Sequence, residues 1–310
     1  MNKEIISVVV LSYNSERTIY ETLNSILEQD YGSNYIELII GDDASTDKTR
    51  SMIQDWANLY EIEFHRVILN LNVNNLGVAN NFNSICKLAT STWIKPIAAD
   101  DILTNNCITE FNSFVSNEEF SCVFCKVEKF NQKGYLGTTP SNSYFFTIPA
   151  EKQFENLLID NFLTAPGCFL KKQLLEHIGY AEETLAMEDY YLWLKITQLG
   201  IQIPLLDKVL VKYRISNSLS NSDQRIINIK LNKDVYYCKI KFKKKLKSNI
   251  FIKMLISIDI KLFFITDLLK IYVFKNKKSR LSKFISPLPR MLSPYYLLRK
   301  TKTKTKKPYE

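Results

Sequence analysis

The sequence predicts an α/β protein with a doubly wound, Rossmann-like mixed sheet flanked by helices, followed by a basic helical extension. The first observation is the run at residues 5–11, nearly all apolar and β-branched, as in a strand that is buried on both faces of a parallel sheet. The second is the alternation of such runs with segments of helical periodicity, which indicates βαβ units. The third is the near absence of acidic residues beyond about residue 222.

The predicted elements follow one another in a regular order. After the first strand, residues 12–15 supply turn and N-cap side chains, and apolar residues between 19 and 27 recur at helical spacing. The second strand, at 36–40, stops at a glycine and two aspartates. Ligands of open α/β sheets bind beyond the carboxyl ends of the strands, so polar residues there are site candidates. Further predictions are a helix from 46 to about 60, a strand at 64–69, a helix from 78 to about 90, a strand at 93–97, a hairpin around 131–134, and mostly helix from 153 to 200 with a break at 165–167.

Charge is divided unevenly along the chain. Residues 224–310 contain 24 lysines and arginines and only 4 acidic residues, whereas the first 223 residues carry 17 basic and 28 acidic side chains. An acidic body joined to a basic segment predicts an anionic partner, either a membrane surface or a nucleic acid. The basic segment lacks the interleaved aromatic and basic residues of a nucleic-acid motif, which favours the membrane.

A helix is predicted within residues 250–274. Its apolar residues form one continuous stripe, but lysines and aspartates interrupt the run too often for a bilayer-spanning segment, which needs about 20 predominantly apolar residues. Together with lysine-rich flanks, the stripe favours a helix that lies on a membrane surface. The alternative is a helix that packs on the preceding α/β domain or pairs in a homodimer. The stripe consists of Phe251, Leu255, Ile258, Leu262, Ile265, Leu269 and Val273.

The six cysteines are predicted to be thiols. They are scattered along a chain whose first residues lack a secretory pattern, so a reducing compartment is expected. Cys122 and Cys125 have CxxC spacing, but no second pair follows. Two thiols in or beside a strand are therefore a better interpretation than a zinc or redox site.

Five short motifs occur in the order and spacing that is typical of one enzyme family. An opening strand ends in Ser-Tyr-Asn, a second ends in Gly-Asp-Asp-Ala-Ser-Thr-Asp, and three further segments follow. In this respect the chain resembles the family 2 glycosyltransferases over about residues 4–220. The resemblance implies a GT-A-like fold and transfer of a sugar from an activated nucleotide. The motifs lie at residues 8–14, 39–49, 75–81, 98–101 and 187–194.

The resemblance assigns the donor nucleotide to the ends of the first strands. Tyr13, next to Ser12, offers a flat surface to a base, and Asp42 and Asp43 accept hydrogen bonds from base and ribose, which implies a uridine nucleotide. Asn75 belongs to the same set. The alternative for the two aspartates is turn formation or helix capping.

Asp100 and Asp101 form a second carboxylate pair after a strand. Adjacent carboxylates repel unless a cation lies beside them, and hard oxygen ligands suit Mn²⁺ or Mg²⁺. In the family this pair is the metal site, at which the ion bridges the donor phosphates; Asp100 also contacts the donor, and Arg214 is placed to meet the diphosphate. Ala98 stands where the family has another carboxylate, and Ser216 where a histidine is common. The alternatives are an exposed turn and, for Arg214, a surface ion pair.

Glu188 and Asp189 precede a predicted helix, near whose N-terminus negative charge is stabilised. The resemblance implies that Asp189 is the general base that removes the proton of the acceptor hydroxyl, with inversion at the anomeric carbon, and that Glu188 belongs to the same catalytic pair. Pro166, Gly167 and Trp193 are expected on the acceptor side. The alternatives are helix capping for Glu188, a simple turn at Gly167 and core packing for the aromatic residues.

These observations predict a catalytic domain at residues 1–222 and a basic extension at 223–310. Within the first, residues 1–102 bind the nucleotide-sugar and residues 103–222 bind the acceptor. The predicted reaction is a metal-dependent, inverting transfer from uridine diphosphate to a hydroxyl of a lipid-linked glycan. It would serve the assembly of a cell-surface polysaccharide, such as a capsule or O-antigen, on the inner face of the cytoplasmic membrane. The alternatives are an inactive scaffold and, more remotely, a nucleic-acid-binding protein.

Overall fold

The structure is a computed structural model that describes residues 3–116, 118–215, 225–279, 281–282 and 287–298. The predicted boundary at residue 222, Ser216 and the lysine repeats at 301–307 lie outside the described residues. The chain divides into two compact units, each assembled from three segments. Unit 1 comprises Met1–Ile148, Phe162–Leu192 and Ile201–Ile215, and unit 2 comprises Pro149–Asn161, Trp193–Gly200 and Ser216–Glu310.

Unit 1 contains one mixed sheet of nine described strands. The strands are β1 (Ile6–Ser12), β2 (Ile36–Asp42), β3 (Arg66–Leu71), β4 (Trp93–Ala98), β5 (Ile102–Leu103), β6 (Cys122–Asn131), β7 (Gly134–Thr139), β8 (Cys168–Lys171) and β9 (Leu205–Arg214). Their order across the sheet is β3-β2-β1-β4-β8-β6-β9-β5, and β7 pairs with β6.

Strand directions bring several chain segments to one edge of the sheet. β1 pairs in parallel with β2 and β4, and β2 with β3, so the strand order reverses at β1. β8 is antiparallel to both β4 and β6, and β9 is parallel to β6, so β9 runs in the same direction as β4. The carboxyl ends of β1 to β4 and β9 therefore share an edge with the amino end of β8. The predicted doubly wound mixed sheet is confirmed.

Helices flank the sheet and build most of unit 2. They are α1 (Ile19–Leu27), α2 (Thr49–Tyr60), α3 (Val78–Leu88), α4 (Cys107–Val115), α5 (Tyr144–Thr147), α6 (Ala150–Ile159), α7 (Lys172–Ile178), α8 (Asp189–Gln198), α9 (Ile229–Lys243), α10 (Ile250–Tyr272) and α11 (Leu288–Leu292), with 3₁₀ turns at Ser33–Tyr35, Glu61–Glu63 and Ala165–Gly167.

Local chemistry explains where these elements begin. All seven residues of β2 are buried, as a continuous apolar run predicts. Helix α2 starts at Thr49, three residues later than predicted, because the Asp47 carboxylate accepts a hydrogen bond from the Thr49 N–H at 2.9 Å and holds a turn before the helix. In unit 2, the side chains of Asn228 and Asn249 cap α9 and α10.

Strand β8 corrects the prediction of a mostly helical segment at 153–200. Only four residues long, it joins the sheet between β4 and β6, where the Phe169 ring stacks on Trp93 with centroids 4.7 Å apart. An apolar run of this length cannot be distinguished from part of a buried helix by periodicity. Its pairing partners, far away in sequence, decide its conformation.

Unit 2 packs around helix α10. The helix buries Leu255, Ile256 and Ile260 in the unit, which also contains α6, α9 and α11. Other apolar side chains of the same helix are exposed, and no helix among the described residues is both long and apolar enough to cross a membrane. The exposed set is Ile250, Phe251, Met254, Ile258, Ile265, Leu269 and Tyr272, with Val273 directly after the helix.

The six cysteines all lie within the described residues and all are buried without a disulfide, as predicted. Cys122 and Cys125 both belong to β6. Burial raises the pKa of Cys107 to about 12 and that of Cys125 well above its usual value, so these thiols stay protonated and are poor metal ligands.

Candidate active site

The predicted site residues lie at the sheet edge defined by the strand ends of unit 1. Ser12 and Asp42 end β1 and β2, Asp100 follows β4, and Arg214 ends β9. Pro166 and Gly167 come directly before β8, at the same edge. Side chains that are distant in sequence are thus brought together where ligands of doubly wound sheets bind.

Asp42 is fully buried and its carboxylate is saturated with hydrogen bonds. Oδ1 accepts from the hydroxyls of Ser12, at 3.2 Å, and Ser45, while Oδ2 accepts from the Ser45 N–H at 3.2 Å and from Arg50 Nε at 3.0 Å. Arg50 also donates to the Asn72 carbonyl. Four donors use the four acceptor positions of a carboxylate. In this structure Asp42 has the turn-forming role that sequence analysis left as the alternative.

Asp43 ties the turn after β2 to the loop after β3. Its Oδ1 accepts from Asn72 Nδ2 at 3.0 Å and from the Leu76 N–H at 2.8 Å, and Oδ2 accepts from the Gly77 N–H at 2.8 Å. Asn75 donates to the Asp43 carbonyl at 3.1 Å. Three donors leave one acceptor position of the carboxylate available.

Tyr13, which follows β1, is 49% exposed, so its ring presents an accessible flat face. The chain next to it is fixed by the turn after β2, since the Asn14 N–H donates to Ser45 Oγ at 2.9 Å and Asn14 Oδ1 accepts from the Thr46 N–H at 2.8 Å. The neighbouring Ser12 is buried and engaged with Asp42. Tyr13 is therefore the member of this set with the most surface to offer a ligand.

The Asp100–Asp101 turn is braced by Arg214. The Arg214 N–H donates to Asp101 Oδ1 and its Nε donates to the Asp100 carbonyl, both at 2.9 Å. The guanidinium also pairs with Glu21 and lies 4.6 Å from the centre of the Phe130 ring. The ion pair left open by sequence analysis is thus present, and it holds the turn that carries the two aspartates.

The two aspartates of this turn differ in burial. Asp101 has no exposed surface and its Oδ2 lacks a hydrogen-bond partner among the described residues. Burial, followed by the charge of Asp100, raises the pKa of Asp101 well above its usual value. Asp100 is partly exposed, and burial also raises its pKa, although Arg214 opposes the shift. Within the described part of the chain, its carboxylate accepts a hydrogen bond only from its own backbone.

The donor set at this turn fits a divalent metal whose shell is completed by a ligand. The described residues include no group of three or more His, Cys, Asp or Glu side chains that could hold an ion by themselves. Mg²⁺ typically takes one or two carboxylates and fills its other positions with water and substrate phosphates. The partly exposed Asp100 carboxylate and the unpartnered Asp101 Oδ2 match that pattern.

The acceptor-side turn is held tightly by unit 1. The Gly167 N–H donates to the Thr164 carbonyl at 2.9 Å, and Pro166 is buried. A Cβ on Gly167 would meet the Cys125 carbonyl and Val127 Cγ2, each at 3.0 Å. Glycine at this position allows the turn to pack closely on β6, so its presence is explained by packing within the protein without a ligand.

Glu188 and Asp189 are placed together before and at the start of α8. Burial and then the charge of Asp189 raise the pKa of Glu188 to about 8. Burial raises the pKa of the Cys168 thiol to about 12, and Glu188 and Asp189 add to this shift, which places the pair near the start of β8. At neutral pH Glu188 therefore keeps its proton beside Asp189.

Trp193 corrects one sequence expectation. It was assigned to the acceptor side, but its side chain is only 1% exposed and is among the largest buried side chains. Tyr190 and Tyr191 are buried as well. All three have core positions on α8, so none of them presents surface to an acceptor.

Several side chains that brace the site were missed by sequence analysis. Thr18 and Thr22, one helical turn apart, donate to the Ala99 carbonyl at 2.8 Å and the Asp101 carbonyl at 2.7 Å. Lys95 is fully buried on β4. Its signal was a lone charge in an apolar strand, whereas threonines on a helix give no comparable signal.

Comparison with known proteins identifies the family. The sequence model described as glycosyl transferase family 2 matches residues 7–179, more than half of the chain. The chain belongs to this family and is a glycosyltransferase.

Individual relatives agree with this assignment. A β-1,3-glucosyltransferase of Escherichia coli, WfgD, which acts from UDP-Glc on GlcNAc-diphosphoundecaprenol, is 28% identical over 72% of this chain and 82% of its own length. Staphylococcus aureus TarS 1–349 in complex with UDP-GlcNAc superposes with a TM-score of 0.62 at 17% identity, over 98% of this chain and 93% of that one.

The mannosyltransferase PcManGT of Pyrobaculum calidifontis, in complex with GDP-Man and Mn²⁺, gives a TM-score of 0.59 at 17% identity, over 97% and 84% of the two chains. A longer TarS chain is covered over only 43% of its length. The fold of this protein is the GT-A fold of these enzymes.

The raised pKa of Glu188 predicts a pH-dependent stability. The unfolded chain releases this proton near pH 4.5, whereas the folded chain keeps it up to about pH 8, so folding is favoured less as the pH rises between these values. We expect the unfolding free energy to fall by up to about 1.4 kcal/mol per pH unit in this window from this group alone, and Glu188→Gln to remove that slope. Urea denaturation between pH 5 and 8 measures it.

The control for this prediction is Glu63→Gln, which changes an exposed glutamate. It should keep the wild-type slope. If the unfolding free energy changed equally with pH in the wild type and in Glu188→Gln, the raised pKa of Glu188 would be contradicted.

Proposed function

We propose that this protein is an inverting, metal-dependent glycosyltransferase that moves a sugar from a uridine diphosphate donor to a hydroxyl of a lipid-linked glycan in the assembly of a cell-surface polysaccharide. The observation that carries the proposal is the division within the Asp100–Asp101 turn. One carboxylate is accessible and the other is buried and braced, at the edge of the sheet where a donor binds.

For the donor nucleotide, Tyr13 and Asp43 are the residues best suited to bind the base. Tyr13 has an exposed ring for stacking, and Asp43 retains an acceptor position for an N–H of the base. Asp42 has no such capacity and would act by holding the turn, as would Ser12 and Asn75. Arg214 would stay within reach of the diphosphate while it braces the metal turn.

For the metal, Asp100 would be the direct ligand and Asp101 its support. When bound, a divalent cation neutralises the charge that develops on the departing nucleoside diphosphate. The presence of Mn²⁺ in the PcManGT complex supports this choice of ion. Because Ala98 cannot coordinate, the ion would depend on Asp100 and the donor phosphates.

For catalysis, Asp189 would accept the proton of the acceptor hydroxyl as that oxygen attacks the anomeric carbon. Attack opposite the departing diphosphate gives inversion, so a single base suffices. Glu188, protonated at neutral pH, would leave the negative charge of the pair on Asp189. Pro166 and Gly167 would form the acceptor side next to this pair.

The acceptor class is inferred from the relatives. WfgD transfers to GlcNAc-diphosphoundecaprenol, and TarS is named for transfer to poly(ribitol-phosphate). Both acceptors carry phosphates. A GlcNAc-diphosphate lipid is therefore the first acceptor to test, with UDP-Glc and UDP-GlcNAc as donors.

The donor site predicts metal-dependent binding of UDP. Calorimetric titration of UDP with Mn²⁺ should give binding that weakens on the order of tenfold or more in Asp100→Asn, because a charged ligand is lost. Asp101→Asn keeps an acceptor for the Arg214 N–H and should bind UDP within about threefold of wild type, unless the turn itself is lost.

Three outcomes, two of the titration and one of a turnover assay, would count against the proposal. If Asp101→Asn weakened UDP binding more than Asp100→Asn, Asp101 would be the metal ligand. If the wild-type protein bound no UDP with Mn²⁺ or Mg²⁺, the assignment of a uridine donor would be wrong. Binding of UDP without any turnover or donor hydrolysis would favour the inactive scaffold.

The base assignment predicts that Asp189→Asn loses turnover and keeps donor binding. We expect kcat to fall by about 10² to 10⁴, the usual contribution of a general base, with the Kd for UDP unchanged. Glu188→Gln is the matched control, since it copies the protonated state of the neighbour and should cost less than about tenfold at pH 7. If kcat fell equally in both variants, Glu188 and Asp189 would have a structural role and Asp189 would not be the base.

Unit 2 offers a surface that suits an anionic membrane. The exposed apolar set on α10 extends along the whole helix, from Ile250 to Tyr272, with the exposed Lys261 within it. Apolar surface of this extent on one helix is typical of an interaction site. Exposed lysines flank the helix at both ends, and each contributes about 1 kcal/mol near an anionic bilayer. They are Lys244, Lys245 and Lys247 before it and Lys275, Lys277 and Lys278 after it.

The membrane proposal predicts binding to vesicles that contain phosphatidylglycerol. The double variant Phe251→Ser, Ile265→Ser should weaken vesicle binding at least about tenfold, because each apolar side chain that inserts into the bilayer contributes about 1 to 2 kcal/mol to binding. High salt should weaken it as well, because charge attracts the protein to the surface. Vesicle flotation measures both effects.

The matched control is Leu59→Ser with Ile62→Ser, which removes two exposed apolar side chains of unit 1 and should leave flotation unchanged. If the wild-type protein does not bind the vesicles but forms a dimer in sedimentation that is lost in the α10 variant, the partner of α10 is a second copy of the chain and not a membrane.

A further inference from the structure

We propose that Lys95 is a positioning residue that fixes the acceptor-side turn, residues 164–167, beside the Asp100–Asp101 turn. The inference rests on the proposed function, which places the acceptor at this turn. Lys95 lies on β4, five residues before Asp100, with its side chain fully buried. A buried ammonium is costly unless it is hydrogen-bonded, so its position calls for a specific set of acceptors.

The acceptors lie where the backbone pairing of β4 and β8 ends. These strands pair at only two positions, Trp93 with Lys171 and Ile94 with Leu170. Two residues further along β4 stands Pro96, which has no N–H to donate. Lys95 Nζ donates to the Pro96 carbonyl at 2.7 Å and to the Pro166 carbonyl at 2.6 Å. The ammonium therefore bridges the two segments where the ladder stops.

The turn is also held from its other side. Gly167 packs so closely on β6 that a Cβ would lie 3.0 Å from the Cys125 carbonyl and 3.0 Å from Val127 Cγ2. Lys95 on β4 and the surface of β6 thus enclose the same turn. Its position is set by contacts within unit 1.

Within the residues that the structure describes, no carboxylate forms an ion pair with Lys95. Its ammonium is held by the two backbone carbonyls of Pro96 and Pro166.

The test is Lys95→Met, which keeps the length of the side chain and removes the ammonium. With a GlcNAc-diphosphate lipid as acceptor, we expect KM for the acceptor to rise about tenfold or more, as for the loss of a charged hydrogen bond. The Kd for UDP with Mn²⁺ and the rate of UDP-sugar hydrolysis should stay within about threefold of wild type. Lys133→Met, an exposed lysine in the β6–β7 turn, is the control and should change neither.

Hydrogen exchange separates this inference from the proposed function. The amides of residues 164, 165 and 167 should exchange faster in Lys95→Met, with wild-type rates in β1 and β2, whether or not the lipid is the true acceptor. Unchanged exchange at this turn, or a loss of UDP binding as large as the loss of acceptor binding, would overturn the assignment.

Gly167→Ala provides a second variant that displaces the same turn from the β6 side. It should reproduce the rise in acceptor KM while UDP binding is kept. If Lys95→Met does not fold, a wild-type acceptor KM in Gly167→Ala overturns the proposal.

Discussion

A buried carboxylate requires hydrogen-bond donors, and this requirement organises the site edge of the sheet. Asp42, Asp43 and Asp101 are each almost without exposed surface, and each draws donors from a segment far away in sequence. An unsatisfied charge at these depths would cost several kcal/mol. The turns after β1, β2, β3 and β4 are consequently fixed to one another before any ligand arrives.

Within each aspartate pair the two members have different tasks. Asp42 has used all its acceptor positions, whereas Asp43 keeps one. Asp101 is buried and accepts from the Arg214 N–H, whereas Asp100 is partly exposed. In the second pair, a buried partner that holds the turn leaves Asp100 oriented and accessible, which is the form of preorganisation that binding sites require.

Buried carboxylates with hydrogen-bond donors also hold the interior of unit 2 together, whereas its surface exposes apolar side chains. Glu155 accepts from Ser248 and Tyr295, and Asp259 accepts from Ser293, so buried carboxylates hold its C-terminal segment. On the outside, α10 exposes apolar side chains among lysines. Residues 224–310, which include this helix, contain 24 lysines and arginines and 4 acidic residues, a balance that favours an anionic partner.

By itself, the sequence determined the first four strands, the helices between them and the two aspartate pairs at the strand ends, because apolar runs, helical periodicity and turn residues are local signals. Tertiary structure decided that Asp101 is buried while Asp100 stays partly exposed, that Trp193 belongs to the core, and that Arg214 and Lys95 brace the turns. It also decided that residues 168–171 form a strand. These features depend on partners tens of residues away, and no local pattern records which donor will lie beside a given carboxylate once the sheet has formed.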